Sequence, residues 1–101
     1  MTIVYTLFQV RFEWDPLKAK ANLRAPGVTF AEAVPVLQDV FAVTREDPDA
    51  VDEPRFVTLG LSDLGSLLVV VYTYRDPNTI RLISAGKANR RQRDAYEKDR
   101  G

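Results

Sequence analysis

Neither cysteine nor histidine occurs in the 101 residues, and methionine and tryptophan occur once each. Without cysteine there are no disulfides, no thiolate metal sites and no thiol nucleophile. Without histidine there is no imidazole ligand and no imidazole acid or base. Any chemistry falls to Lys, Arg, Tyr, Asp, Glu or Ser, and no metal or cofactor is expected. No apolar run approaches the ~18 residues of a membrane span. The stretch from Met1 to Val10 has no leading basic residue and no small-residue cleavage site, unlike a secretory signal. A reducing, cytoplasmic setting is the expectation.

What is present looks globular. Apolar residues make up 46% and charged residues 28% of the chain, close to the averages for folded domains. The length suits one domain over residues 1–101. Formal net charge is zero, but the charge is split along the chain. Residues 1–76 carry seven basic and eleven acidic side chains, a net −4. Residues 77–101 carry seven basic ones (Arg81, Lys87, Arg90, Arg91, Arg93, Lys98, Arg100) and three acids (Asp94, Glu97, Asp99), a net +4. A cationic end of this kind can meet a polyanion.

Hydrophobic periodicity and turn chemistry predict an α+β domain. Ile3 to Trp14 alternates as a strand, with Val4, Thr6, Phe8, Val10, Phe12 and Trp14 on one face. Asp15-Pro16 reads as a helix start, with Leu17 and Ala21 on the packing face and Pro26-Gly27 as the stop. Thr29-Phe30-Ala31-Glu32 has capping-box spacing, and Pro35 should bend the short helix that follows. Phe41 to Thr44 is a short strand, and Glu46 to Glu53 an acidic loop. Arg55 to Leu61, Leu67 to Tyr74 and Ile80 to Ala85 form an antiparallel meander. Asn89 caps a last helix from Arg90 to about Lys98. The expected order is β-α-α-β-β-β-β-α, an antiparallel sheet with helices packed on it.

Chemistry is expected where the last strand meets the last helix. Strict alternation puts Arg81, Ile83, Ala85 and Lys87 on one side of the strand. A cation among apolar neighbours must reach solvent, pair with an acid or serve a site. Arg90 and Arg91 occupy the first helical turn, where the dipole disfavours cations by roughly 0.3–1 kcal/mol each. That helix has almost no apolar face beyond Ala88, Ala95 and Tyr96, which suits a basic surface. The acidic loop lacks the ligand spacing of a calcium site.

These segments resemble the BrnT toxins. The resemblance rests on Phe12-Glu13-Trp14-Asp15-Pro16-x-Lys18-x-x-x-Asn22, then on Gly27-Val28-x-Phe30-x-Glu32-Ala33. It continues through Arg55 to Gly60, Leu67 to Thr73 and Ile80 to Ala85, and closes with Lys87-Ala88 and Arg90-Arg91-x-Arg93-x-x-Tyr96-Glu97. It implies a type II toxin–antitoxin system with a RelE-like endoribonuclease that arrests translation. It also implies a small DNA-binding antitoxin as partner, contact with DNA only through that antitoxin, and a complex that represses its own operon. The exposed N-terminal strand offers an edge for a homodimer within such a complex.

On that reading the 2′-OH of the ribose attacks the adjacent phosphate without a metal. Arg81 and Lys87 are expected to stabilise the phosphorane and Arg55 to hold a neighbouring phosphate. Tyr96 is expected to orient, protonate or stack, with Glu53 as the base. Lys18, Arg90, Arg91 and Arg93 are expected to bind RNA. The chain departs from the family pattern at three places. Ala25-Pro26 stands where Lys-His is usual, Gly86 replaces an arginine, and Asp94 follows Arg93 where Glu-Arg-Arg is usual. The alternative reading is therefore a toxin fold with weakened or lost chemistry that serves as a binding partner.

Overall fold

A computed structural model describes residues 2–7 and 10–100. Six strands form one sheet: β1 Ile3–Leu7, β2 Val10–Trp14, β3 Val43–Glu46, β4 Phe56–Leu61, β5 Leu67–Asp76 and β6 Thr79–Lys87. The helices are α1 Pro16–Arg24, α2 Phe30–Ala33 and α3 Arg90–Arg100, and a 3-10 segment, Val34–Gln38, continues α2. The α+β class agrees with the sequence reading. Two features of the sheet do not.

The first concerns the N-terminus. Ile3 to Trp14 is two strands rather than one, and they pair antiparallel with Ile3 opposite Trp14 and Tyr5 opposite Phe12. Only residues 11–13 find a further neighbour in β6, so a continuous strand would leave its first half without backbone partners. Folding back satisfies those donors and acceptors. The antiparallel pairing also changes which parity faces the core: Val4 is exposed, whereas Phe12 and Trp14 are buried. Phe8, on the expected face, lies outside the described residues.

The second feature is direction. The sheet order is β1-β2-β6-β5-β4-β3, and β2 runs parallel to β6. The sheet is therefore mixed, not wholly antiparallel. The long connection through α1, α2, β3, β4 and β5 supplies the crossover that a parallel pair requires.

The start signals act as their chemistry dictates. Asp15 caps α1 by accepting the Leu17 N–H at 2.8 Å, with Pro16 behind it. Thr29 and Glu32 form a reciprocal capping box. Pro35 marks the change from α to 3-10 geometry. The face of α1 differs from expectation: Leu17 is 75% exposed, and the helix turns Ala19 and Asn22 to the sheet. β3 starts two residues late, because Phe41 and Ala42 donate their N–H groups back to Asp39.

One core fills the space between the sheet and the α1–α2–Val34–Gln38 layer. It includes Phe12, Trp14, Val28, Phe30, Val34 and Val36 from the N-terminal half, with Leu68, Val70, Tyr72 and Leu82 from the sheet. Gly60 lets the 3-10 segment lie directly on β4, since a Cβ there would sit 3.0 Å from the Val36 carbonyl oxygen. A polar row crosses this face: Thr44 Oγ1 to Thr58 Oγ1 at 2.7 Å, and Thr58 Oγ1 to the Tyr72 hydroxyl at 2.8 Å. Each buried hydroxyl thus has a partner, which offsets its desolvation. Among the described residues, no helix is long and apolar enough to cross a membrane.

Candidate functional site

The reverse face of the sheet has no α1–α2 layer over it. Register places Glu13, Arg81 and Thr73 in one row across β2, β6 and β5. The next row runs Arg45, Val57, Val71 and Ser84 across β3, β4, β5 and β6. α3 lies across one end of this face, where Arg91, Gln92 and Ala95 meet Val43, Leu59 and Val69.

Arg81 is the best-defined cation of the face. Its Nη1 donates to Glu13 Oε2 at 2.6 Å, and both side chains keep about a fifth of their surface in solvent. A guanidinium held by a carboxylate across two strands is oriented, yet it retains donors for an anion. In the sequence Glu13 stands within the Phe12-Glu13-Trp14 segment of the family resemblance, with no role given to it. Its pairing with Arg81 spans 68 residues and has no local signal.

Arg55 precedes the Phe56–Tyr72 pair by one residue. Its backbone is thereby level with Thr73, the register partner of Arg81. Two strand spacings separate it from Arg81, about 10 Å. Its side chain lines a hollow with Glu46, Asp47, Asp52 and Glu53, and its Nε is buried without a hydrogen-bond partner. The candidate base, Glu53, is ion-paired with Arg75 at 2.8 Å.

Lys87 is not on the Arg81 side. Val71 pairs with Ser84 and Tyr72 with Leu82, so Ile83 is an extra residue in β6. This bulge reverses the alternation. Leu82 and Ala85 are consequently both buried in the core, and Lys87 falls opposite Leu68, on the helix-bearing side. Six residues of strand, about 20 Å, separate it from Arg81. The expectation that Arg81, Ile83, Ala85 and Lys87 share a side fails for this reason.

Tyr96 is 2% exposed, and its hydroxyl donates to Asp39 Oδ2. The same carboxylate accepts the N–H groups of Phe41 and Leu61, each at 2.9 Å. Tyr96 thus anchors α3 to the end of β4, and the helix contributes more to packing than its composition suggests. Asn89 and Gln92 cap α3 reciprocally, each bond 2.8 Å. Arg90, Arg91 and Arg93 are exposed. Lys18 is exposed on α1, on the other side of the sheet, so it does not share a surface with Arg91.

Asn22 is a residue whose role the sequence left open. Its Nδ2 donates to the carbonyls of Val28 and Ala85, and its Oδ1 accepts the Ala85 N–H. It completes β6 as a neighbouring strand would, and so fixes the strand that carries Arg81. Nearby, two of the departures from the BrnT pattern face each other: a side chain at position 86 would meet the Pro26 ring, since a Cβ added to Gly86 would lie 3.6 Å from it. Among the described residues, no group of three or more Asp or Glu could hold a metal ion.

The chain is thus a small α+β domain with arginines on an open sheet face. The family model for the ribonuclease toxin BrnT of type II toxin–antitoxin systems matches residues 14–92, and the chain belongs to that family. The fold is similar to that of the Brucella abortus ribonuclease toxin BrnT, with a TM-score of 0.57. The match has 20% sequence identity and covers 76% of this chain and 94% of that one. No curated protein matches the chain.

Proposed function

We propose that this chain is a metal-independent endoribonuclease toxin that stops translation in the cytoplasm and is neutralised by a DNA-binding antitoxin. The observation that carries the reading is the Glu13–Arg81 pair on the open sheet face, within the body of a BrnT-family fold. RNA lies across that face. The 2′-OH gives its proton to a carboxylate, the oxyanion attacks phosphorus, and the bond to the 5′-oxygen breaks as that oxygen takes a proton from water, so the product ends in a 2′,3′-cyclic phosphate. Arg81 offers its guanidinium donors to the phosphorane oxygens. Glu13, 2.6 Å from Arg81, is the nearest carboxylate and takes the place first given to Glu53 as base. Arg55 holds the adjacent phosphate.

The proposal moves two residues out of the reaction centre. Lys87 is on the other side of the sheet, and the Tyr96 hydroxyl is engaged by Asp39. Arg90, Arg91 and Arg93 remain a flanking phosphate track, and Lys18 meets only RNA that wraps the sheet edge.

The test is cleavage of a generic RNA by the purified chain with EDTA present. Cyclic-phosphate ends are expected, with a loss of about 10²–10³ in rate for Arg81→Ala, the scale on which removal of a transition-state donor acts. Lys87→Ala should stay within a few-fold of the parent chain. No cleavage by folded protein would instead support the non-catalytic binding reading, which the departures at Ala25-Pro26, Gly86 and Asp94 motivate.

A further inference from the structure

One apolar groove on the open face takes no part in the cleavage step, although Arg91 at its rim also belongs to the flanking phosphate track, so a partner seated there competes with RNA for that arginine. It is a hollow of about 260 Å³ between α3 and the sheet, floored by Val43, Val57, Leu59 and Val69. Arg45 and Arg91 stand at its rim, both exposed and neither with an acidic partner among the described residues. No aromatic side chain lines it, so it lacks the platform on which nucleobases usually stack. Its complement is a small aliphatic side chain flanked by carboxylates.

The chain carries that complement. In the β3–β4 connection, Asp49-Ala50-Val51-Asp52-Glu53 sets an aliphatic pair among acids, and Val51 is 72% exposed. The loop is held in shape. The Asp49 N–H donates to Asp47 Oδ1 at 3.0 Å, the Glu53 N–H to the Val51 carbonyl at 2.9 Å, and Glu53 is tied to Arg75. A preformed loop loses little conformational freedom on docking.

Groove and loop also belong to one hairpin. The groove sits at the Val43–Leu59 pair, and the loop leaves the hairpin at the Glu46–Phe56 pair. Three residues of strand, about 10 Å, separate them. A two-fold interface requires both halves of the contact on one continuous patch, so that each copy gives and receives. This patch meets that requirement. We propose that the open-face groove receives the Asp49–Glu53 loop of a second copy, with Val51 on the apolar floor and the loop carboxylates facing Arg45 and Arg91. The resulting dimer does not use the N-terminal strand edge.

The test is sedimentation equilibrium of the full chain, 11.4 kDa, from micromolar to submillimolar concentration, with circular dichroism to show that each variant is folded. The parent chain should reach twice the single-chain mass. Val51→Asp, and separately Arg45→Glu with Arg91→Glu, should each weaken self-association by about tenfold or more, roughly 1.4 kcal/mol. Adding Asp49→Arg to the second variant should restore most of the dimer. A parent chain that stays monomeric overturns the proposal and leaves the groove to another occupant, such as a segment of the antitoxin. A dimer that persists in both folded variants overturns it as well.

Discussion

At the scale of single residues, two buried polar side chains tie distant segments together. Asn22 satisfies both backbone groups of Ala85 and the carbonyl of Val28. Asn22→Ala would leave three buried polar groups without partners, a loss of about 2–4 kcal/mol. A denaturant titration should show the midpoint falling with an unchanged slope. Tyr96 gives a sharper contrast between packing and chemistry. Tyr96→Phe removes one of the donors to Asp39 and should cost about 2 kcal/mol, since hydrogen bonds to charged groups sit at that level. RNA cleavage, measured well below the melting temperature, should stay within a few-fold. A large fall in rate with unchanged stability would return Tyr96 to the reaction centre.

At the scale of elements, the close contact of the 3-10 segment with β4 sets the position of the Asp39 turn, and through it the seat of α3. A Cβ at Gly60 would lie 3.0 Å from the Val36 carbonyl oxygen and 3.2 Å from the Ala42 Cβ. Two of those neighbours are backbone or directly attached to it, so they cannot swing away as a long side chain would. Gly60→Ala is expected to destabilise the fold by about 1–3 kcal/mol through overpacking. Thermal melting should fall by several degrees or more, as expected for a domain near 100 residues. The bulge at Ile83 acts at the same scale. It buries both Leu82 and Ala85 and sends Arg81 and Lys87 to opposite sides.

At the scale of the whole molecule, charge is separated more finely than the net −4 and +4 of its two parts suggest. The acidic loop leaves one end of the β3–β4 hairpin at the Glu46–Phe56 pair, and Arg91 of α3 lies toward the other end, beside Val43 and Leu59. RNA binding through Arg55, Arg81 and a flanking arginine should weaken with salt by counterion release. Three phosphate contacts predict a slope of log K against log salt of about −2, given about −0.7 per contact for a single strand. Removal of Arg55 should reduce the slope by nearly one contact. A slope near zero would place RNA recognition outside the arginine face.

Local sequence set most of the elements and their caps, but not the division of Ile3 to Trp14 into two strands or the start of β3. The aliphatic run Leu67–Val71, the proline and aspartate before α1, the Thr29–Glu32 capping box and Asn89 all act within a few residues of where they stand. Short-range signals of that kind are legible in order along the chain, and the same ordered segments carry the family resemblance. Tertiary structure alone decided which way side chains face and what they meet. The N-terminal hairpin, the parallel β2–β6 pairing, the extra residue at Ile83 and the Glu13–Arg81 pair depend on neighbours tens of residues away. One inserted residue reverses every later side chain of a strand. Arg81 could therefore be picked out from the sequence, whereas its partner Glu13 and its separation from Lys87 could not.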